Sequence, residues 1–205
     1  MHGAAVPQDD VGLAVRRVRV RHVSRSLCVG GTTSRSDRTE QIVKVLVTAA
    51  SKYGSTAEIA RRIADVLSTR GHDVDVEPAD GASVAGHDVV VLGRAVYAGH
   101  WMPAAKNLVE RAGPDLANRS VWLFSSGPVG EPPKPEEDPV DVAPIVSATS
   151  ARGHCVFAGR IDRDQLSFPE KAIVVALRVR SGDFRQWHEI EAWAGEIADS
   201  LESEA

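Results

Sequence analysis

Apolar and polar positions alternate along this chain in two different periods, and the period changes mark its elements. Residues 42–48 (IVKVLVT) form a short β-branched run, apolar on nearly both faces, as in a buried parallel strand. A turn of small residues follows. Ile59, Ile63, Val66 and Leu67 then recur at helical spacing, with Arg61, Arg62 and Asp65 on the other faces. This predicts a helix over 56–70, stopped by Gly71. Residues 73–77 (DVDVE) alternate as a second, more exposed strand, and 87–93 (HDVVVLG) read as a third. A loop over 94–103 leads to a helix over 104–111. A fourth strand spans 119–125 (RSVWLFS), and a loop over 126–141 carries five prolines. A helix over 142–151 and a fifth strand over 153–159 (GHCVFAG) come next.

Two helices close the chain. Ser167-Phe168-Pro169-Glu170 has the form of a capping box and predicts a helix over 170–179. Trp187, Ile190, Trp193, Ile197 and Leu201 fall at three- and four-residue steps and predict a long helix over 184–202. Five short strands separated by helices imply an α/β domain: a doubly wound, five-stranded parallel sheet with helices on both faces. Such a sheet binds its ligand beyond the carboxyl ends of its strands. The loops after strands one, three and four are therefore the places to look for chemistry.

Composition narrows the classes. The chain has 205 residues, 43% hydrophobic and 25% charged, an ordinary globular mix. Its longest apolar run, 172–177, is far shorter than the roughly 20 residues needed to span a bilayer. The net charge of −4 gives no basic excess to attract nucleic acid. The charge is uneven, however. Residues 1–40 hold seven arginines and four acids, a local +3, which leaves −7 on residues 41–205. We read 1–40 as a basic, disordered extension, or an upstream start codon, before a domain over 41–205. Arg16-Arg17 would suit a twin-arginine signal, but Arg19, Arg21 and Arg25 stand where its apolar region should be. Cys28 and Cys155 belong to no C-x-x-C pair, so neither a zinc site nor a disulfide framework is expected. That pattern suits a reducing, cytoplasmic setting, with one tail thiol and one buried thiol. Lys171, Arg178 and Arg180 flank the run 172–177. A buried helix with basic ends is the simpler reading; peripheral contact with the inner face of a membrane is the other.

Three loops carry the candidate chemistry. Ser51, Lys52, Tyr53, Gly54, Ser55 and Thr56 lie between a buried strand and a helix start, where backbone amides and the helix dipole favour phosphate. The loop is neither a Walker loop nor G-x-G-x-x-G, which disfavours ATP and NAD. Its hydroxyls could equally be helix caps. The second loop holds Tyr97, which with Tyr53 completes the chain's tyrosines. Aromatic rings here suit a flat ligand, and Gly99 would let backbone come close to it. His100 is a proton donor or a solvated bystander. The third loop, Ser125, Ser126, Gly127 and Pro128, can bring amides to a polar edge, or be a plain turn.

Five segments, in order, carry a resemblance: ASKYGSTAEIA (50–60), LGRAVYAGHW (92–101), FSSGP (124–128), FAGR (157–160) and GDFRQWHEIEAWA (182–194). With them the core over 42–201 resembles the flavodoxin family, and within it the flavodoxin-domain proteins of the menaquinone-dependent protoporphyrinogen IX dehydrogenase type. The resemblance implies a flavodoxin-like fold and FMN as cofactor. It would set Ser51, Lys52, Tyr53, Gly54, Ser55 and Thr56 around the FMN phosphate. Val96, Tyr97, Ala98, Gly99 and His100 would border the flavin ring, and Ser125, Ser126, Gly127 and Pro128 its pyrimidine edge. Lys52-Tyr53 stands where many flavodoxins have a small hydroxyl residue before the glycine, so charge would replace one hydroxyl contact. The implied activity is an FMN-dependent oxidoreductase passing electrons from a reduced substrate, such as protoporphyrinogen IX, to a quinone. The alternatives are an electron carrier between redox proteins, and a flavin-free binding module. Residues 131–141, with five acids and one lysine, would oppose a dianionic substrate if they overhung the flavin; the simpler reading is a solvated, flexible lid with no substrate role.

Overall fold

The computed structural model describes residues 42–97, 100, 101, 103–127, 129, 142–176 and 180–204. The basic extension over 1–40, Ala98, Gly99, Pro128, the acidic segment 131–141 and Arg178 lie outside the described residues.

The elements run β1 (Lys44–Ala50), α1 (Ser55–Thr69), β2 (Asp73–Pro78), β3 (Val89–Tyr97), β4 (His100–Trp101), α2 (Pro103–Leu116) and β5 (Ser120–Ser126). They continue as α3 (Val142–Thr149), β6 (Gly153–Phe157), β7 (Arg160–Ile161), a 3-10 turn over Arg163–Gln165, α4 (Phe168–Ala176), β8 (Gly182–Asp183) and α5 (Trp187–Glu204). The five long strands are parallel in the order β2-β1-β3-β5-β6. β2 lies on one side of β1 and β3 on the other, so the winding direction reverses at β1/β3. That reversal opens the crevice in which such sheets hold ligands.

Strand alternation sorts side chains into two cores. Val45, Val47, Val89, Val91, Trp122 and Phe124 face α1 and α5. Leu46, Val90, Leu92, Val121 and Leu123 face α2 and the α3 residue Ile145. Every strand residue from Val45 to Ala50 is buried, because both faces of a parallel sheet are covered. Gly71, with φ of +91°, ends α1 in the left-handed conformation that glycine adopts at little cost.

Three expectations change. Residues 94–97 belong to β3, not to a loop, and β4 turns back to pair Val96 with Trp101 and Tyr97 with His100. The ladder to β5 runs on as far as Ala95 opposite Ser126, so tertiary pairing extends the strand past the polar Arg94. α2 passes through Gly113 and Pro114 to Leu116, whose burial against the sheet outweighs the local breakers. α5 starts at Trp187 rather than 184, because β7 and β8 form an antiparallel pair that the alternation pattern did not disclose.

Candidate functional site

β1 delivers the chain to Ser51 at the carboxyl edge of the sheet. Gly54 then takes φ of +82° and caps α1 without any side-chain hydrogen bond. The hydroxyls of this loop are therefore not helix caps. Ser55 and Thr56 are the first residues of the helix itself, and the amino end of α1 keeps its dipole unanswered by a side-chain cap. Thr56 is buried, while Ser51, Tyr53, Gly54 and Ser55 are half-buried and Lys52 is exposed.

A second set of residues packs around this loop. The Ser55 hydroxyl accepts a hydrogen bond from the Arg160 backbone N–H at 3.1 Å. Arg160 and Arg185 both donate to Glu58 in the first turn of α1, at 3.0 and 2.7 Å. Arg185 also donates to Asp183 at 2.6 and 2.8 Å and stacks 4.4 Å from the Trp187 ring centroid. Its side chain is 2% exposed. The bonds from Arg185 hold the Asp183 carboxyl below its ordinary range, although burial pulls the other way. Two arginines and two carboxylates thus form a neutral cluster beside the start of α1.

Glu170 of α4 closes the other side. Its carboxylate accepts from Lys52 Nζ at 2.9 Å, from the Tyr53 hydroxyl at 2.5 Å and from the Ser167 N–H at 2.9 Å, and also from the Ser167 hydroxyl. Burial pushes this carboxyl upward, but the bonds from Ser167, Tyr53 and Lys52 outweigh it and bring the pKa to about 2. In turn Lys52 is held above its usual range, chiefly by Glu170.

The other loops meet the first. A Cβ on Gly127 would come within 2.9 Å of Val96 Cβ, so the third loop presses directly on the second. Tyr53, Val129 and Phe184 all pack against the cluster of Leu166 and Val174. Ser125 and Ser126 are buried at the end of β5, and the Ser125 hydroxyl bonds His154 Nε2 at 2.9 Å. Val96, Tyr97 and His100 belong to the β3–β4 hairpin; Ala98, Gly99 and Pro128 fall outside the described residues. The structure therefore gathers the described parts of all three predicted loops at one sheet edge.

Glu58, Arg160, Glu170 and Arg185 were missed as site residues. Arg160 and Arg185 lie inside segments quoted for the resemblance, and Glu170 was read only as a cap. Contacts across more than 100 positions, such as Tyr53 to Glu170, leave no local periodicity to read.

The arrangement fits a phosphate group. An uncapped helix start follows the first strand, hydroxyls cluster about it, and among the described residues the carboxylates Glu58 and Glu170 beside it are already neutralised by Arg160, Arg185 and Lys52.

Comparison with known proteins agrees with this geometry. Residues 46–185 match the flavodoxin domain. No curated protein matches the chain. Among solved structures, an archaeal flavodoxin superposes with a TM-score of 0.52 at 13% identity, over 77% of this chain and 98% of that one. Oxidised flavodoxin 1 from Bacillus cereus gives 0.52 at 15%, over 76% and 97%. Rubredoxin oxygen:oxidoreductase from Desulfovibrio gigas gives 0.54 at 13%, over 81% of this chain but only 38% of its own length. At such identities the likeness is one of fold.

Proposed function

The chain belongs to the flavodoxin-domain family, whose cofactor is FMN, and from that membership we propose an FMN-dependent oxidoreductase that passes electrons from a reduced substrate to a quinone. Bound FMN takes up and releases one or two electrons. The observation that carries the reading is the β1–α1 junction: a left-handed Gly54 and a helix start without a side-chain cap, where an anion gains from the α1 amides and dipole. Ser51, Lys52, Tyr53, Gly54, Ser55 and Thr56 would hold the FMN phosphate. Val96, Tyr97, Ala98, Gly99 and His100 would border the ring, and Ser125, Ser126, Gly127 and Pro128 its polar edge. Arg160 and Arg185 keep Glu58 neutralised beside the phosphate, and Lys52 does the same for Glu170. Ser125, Ser126 and Ala95 are buried at the strand ends, and with FMN bound they would help to exclude water from that side of the site.

Protoporphyrinogen IX is the substrate proposed, on the resemblance of the five quoted segments to the dehydrogenase type. An electron carrier without a substrate of its own is the second reading. The −7 charge of residues 41–205 favours it, because an acidic domain is suited to docking on basic redox proteins. Purified protein supplied with protoporphyrinogen and menaquinone separates the two. Turnover supports the oxidoreductase. Electron passage only between a reductase and an acceptor protein supports the carrier. Replacing Ser55 and Thr56 together by alanine should weaken FMN binding about tenfold, or ~1.4 kcal/mol, in a flavin-fluorescence titration. Unchanged affinity in a variant that still melts normally would refute the assignment of the phosphate site.

A further inference from the structure

Among the described residues, α4 is held through Val174, which is buried in a cluster with Leu166 against which the half-buried Tyr53, Ile161 and Phe184 pack. Glu170 points the same way, to Lys52 and Tyr53. Phe168, Ala172 and Val175 recur at i, i+4 and i+7, which places them on one stripe of the helix, and all three are exposed. Among the described residues four large apolar side chains stand exposed, and two of them are on this stripe: Phe168 at 86% and Val175 at 62%. A buried helix with basic ends, the simpler expectation from the sequence, is therefore corrected: the helix is half open to solvent.

Charge decides what could cover the stripe. Glu170 is the only carboxylate of α4, and it is engaged inward. Lys171 is exposed beside the stripe, and Arg180 is exposed just past the helix. An apolar stripe with the cation Lys171 beside it, and a second cation, Arg180, further along the chain, complements a surface that is apolar beneath and anionic at its edge, which describes a bilayer with anionic headgroups. The remainder of the acidic domain would be repelled by such a surface, so the field of the whole molecule turns α4 toward it. The chain's own extension over 1–40 is a poor occupant, because it carries +3 and would set cation against cation. A second copy meeting the stripe about a two-fold axis would oppose Lys171 to its equivalent.

We propose that α4 docks reversibly on an anionic lipid surface, with Phe168, Ala172 and Val175 entering the interface and Lys171 and Arg180 against the headgroups. The docking geometry stands by itself. Its use rests on the quinone reading above: Glu170 ties α4 to the first loop, so docking brings the cofactor end of the sheet to the layer in which a lipid-soluble quinone is dissolved.

Flotation of the full chain with phosphatidylcholine vesicles, with and without phosphatidylglycerol, tests this. Binding should require phosphatidylglycerol and fall several-fold in about 0.5 M salt. The double variant Phe168→Ser, Val175→Ser should lose tenfold or more, and Lys171→Glu several-fold. Both should keep wild-type melting and FMN content, since these side chains are exposed. Three results would overturn the proposal: binding without a phosphatidylglycerol preference, unchanged binding by the double variant, or loss only when Arg16, Arg17, Arg19 and Arg21 become serine. A lipid-free sedimentation coefficient that drops in the double variant would assign the stripe to self-association instead. Vesicle binding without menaquinone turnover would count against the oxidoreductase reading alone. Turnover of a water-soluble quinone without vesicle binding would count against the docking alone.

Discussion

Glu170 joins two parts of the molecule that are remote in sequence. It satisfies the Ser167 amide at the start of α4 and receives Lys52 and Tyr53 from the loop between β1 and α1. Its pKa is lowered from 4.5 to about 2, so the ionised form stabilises the folded state above pH 4.5, and that contribution fades as the pH falls toward 2. Glu170→Gln should cost about 1–2 kcal/mol at neutral pH, allowing for solvent screening. Urea titrations should show the variant's stability nearly flat between pH 5 and pH 2, approximately the window in which the wild type declines. At Gly54 the constraint is conformational. Its φ of +82° leaves room for a methyl group, with Glu58 Oε1 3.9 Å away, so Gly54→Ala tests backbone strain without a clash. A loss of about 1–2 kcal/mol in denaturant unfolding is expected, together with weaker FMN binding.

Elements meet through a few close contacts. A Cβ on Gly93 in β3 would lie 1.9 Å from Phe124 Cζ, because the Phe124 ring lies across the sheet and meets Trp193 of α5 at 6.2 Å. Gly93→Ala should therefore cost about 2–3 kcal/mol through overpacking. Circular dichroism melts would report it, and a stability equal to wild type would mean that the ring can move aside. Arg185 joins the β8–α5 connection to the start of α1 through Asp183, Glu58 and the Ser55 carbonyl. Arg185→Met removes the cation shared by Asp183 and Glu58 and leaves Arg160 as the remaining partner of Glu58. The partial exposure of both carboxylates limits the expected loss to about 2–3 kcal/mol in urea unfolding, below that of a fully buried pair.

Two titrations and one field act on the molecule as a whole. His72 is buried between α1 and β2 with neither ring nitrogen hydrogen-bonded, and burial lowers its pKa below 6.5. The neutral ring is favoured by folding, so its contribution is intact above pH 6.5 and is lost as the pH falls below it. Acid unfolding should begin there and steepen as Glu170 protonates; His72→Leu should remove the first part of the decline. The −7 on residues 41–205 predicts a lower midpoint potential for bound FMN than for free FMN, with the gap narrowing as salt rises. Side-by-side potentiometric titration checks this, and an unshifted or higher value would show that local contacts dominate. Much of the fold was legible locally. β-branched runs such as 42–48 mark buried strands, and Ile59, Ile63 and Leu67 mark the inner face of α1, because strand and helix periods are properties of neighbouring residues. The sheet-edge loops were legible for the same reason. The extension of β3 to Tyr97, the continuation of α2 past Pro114 and the β7–β8 pair were not, since each depends on pairing or packing with distant segments. By itself the sequence determined the order of the elements and the hydroxyl-rich turn after the first strand. Tertiary structure alone decided that Glu58, Arg160, Glu170 and Arg185 surround that turn and that Phe168 and Val175 face outward, because long-range contacts and exposure are set by how the layers close together.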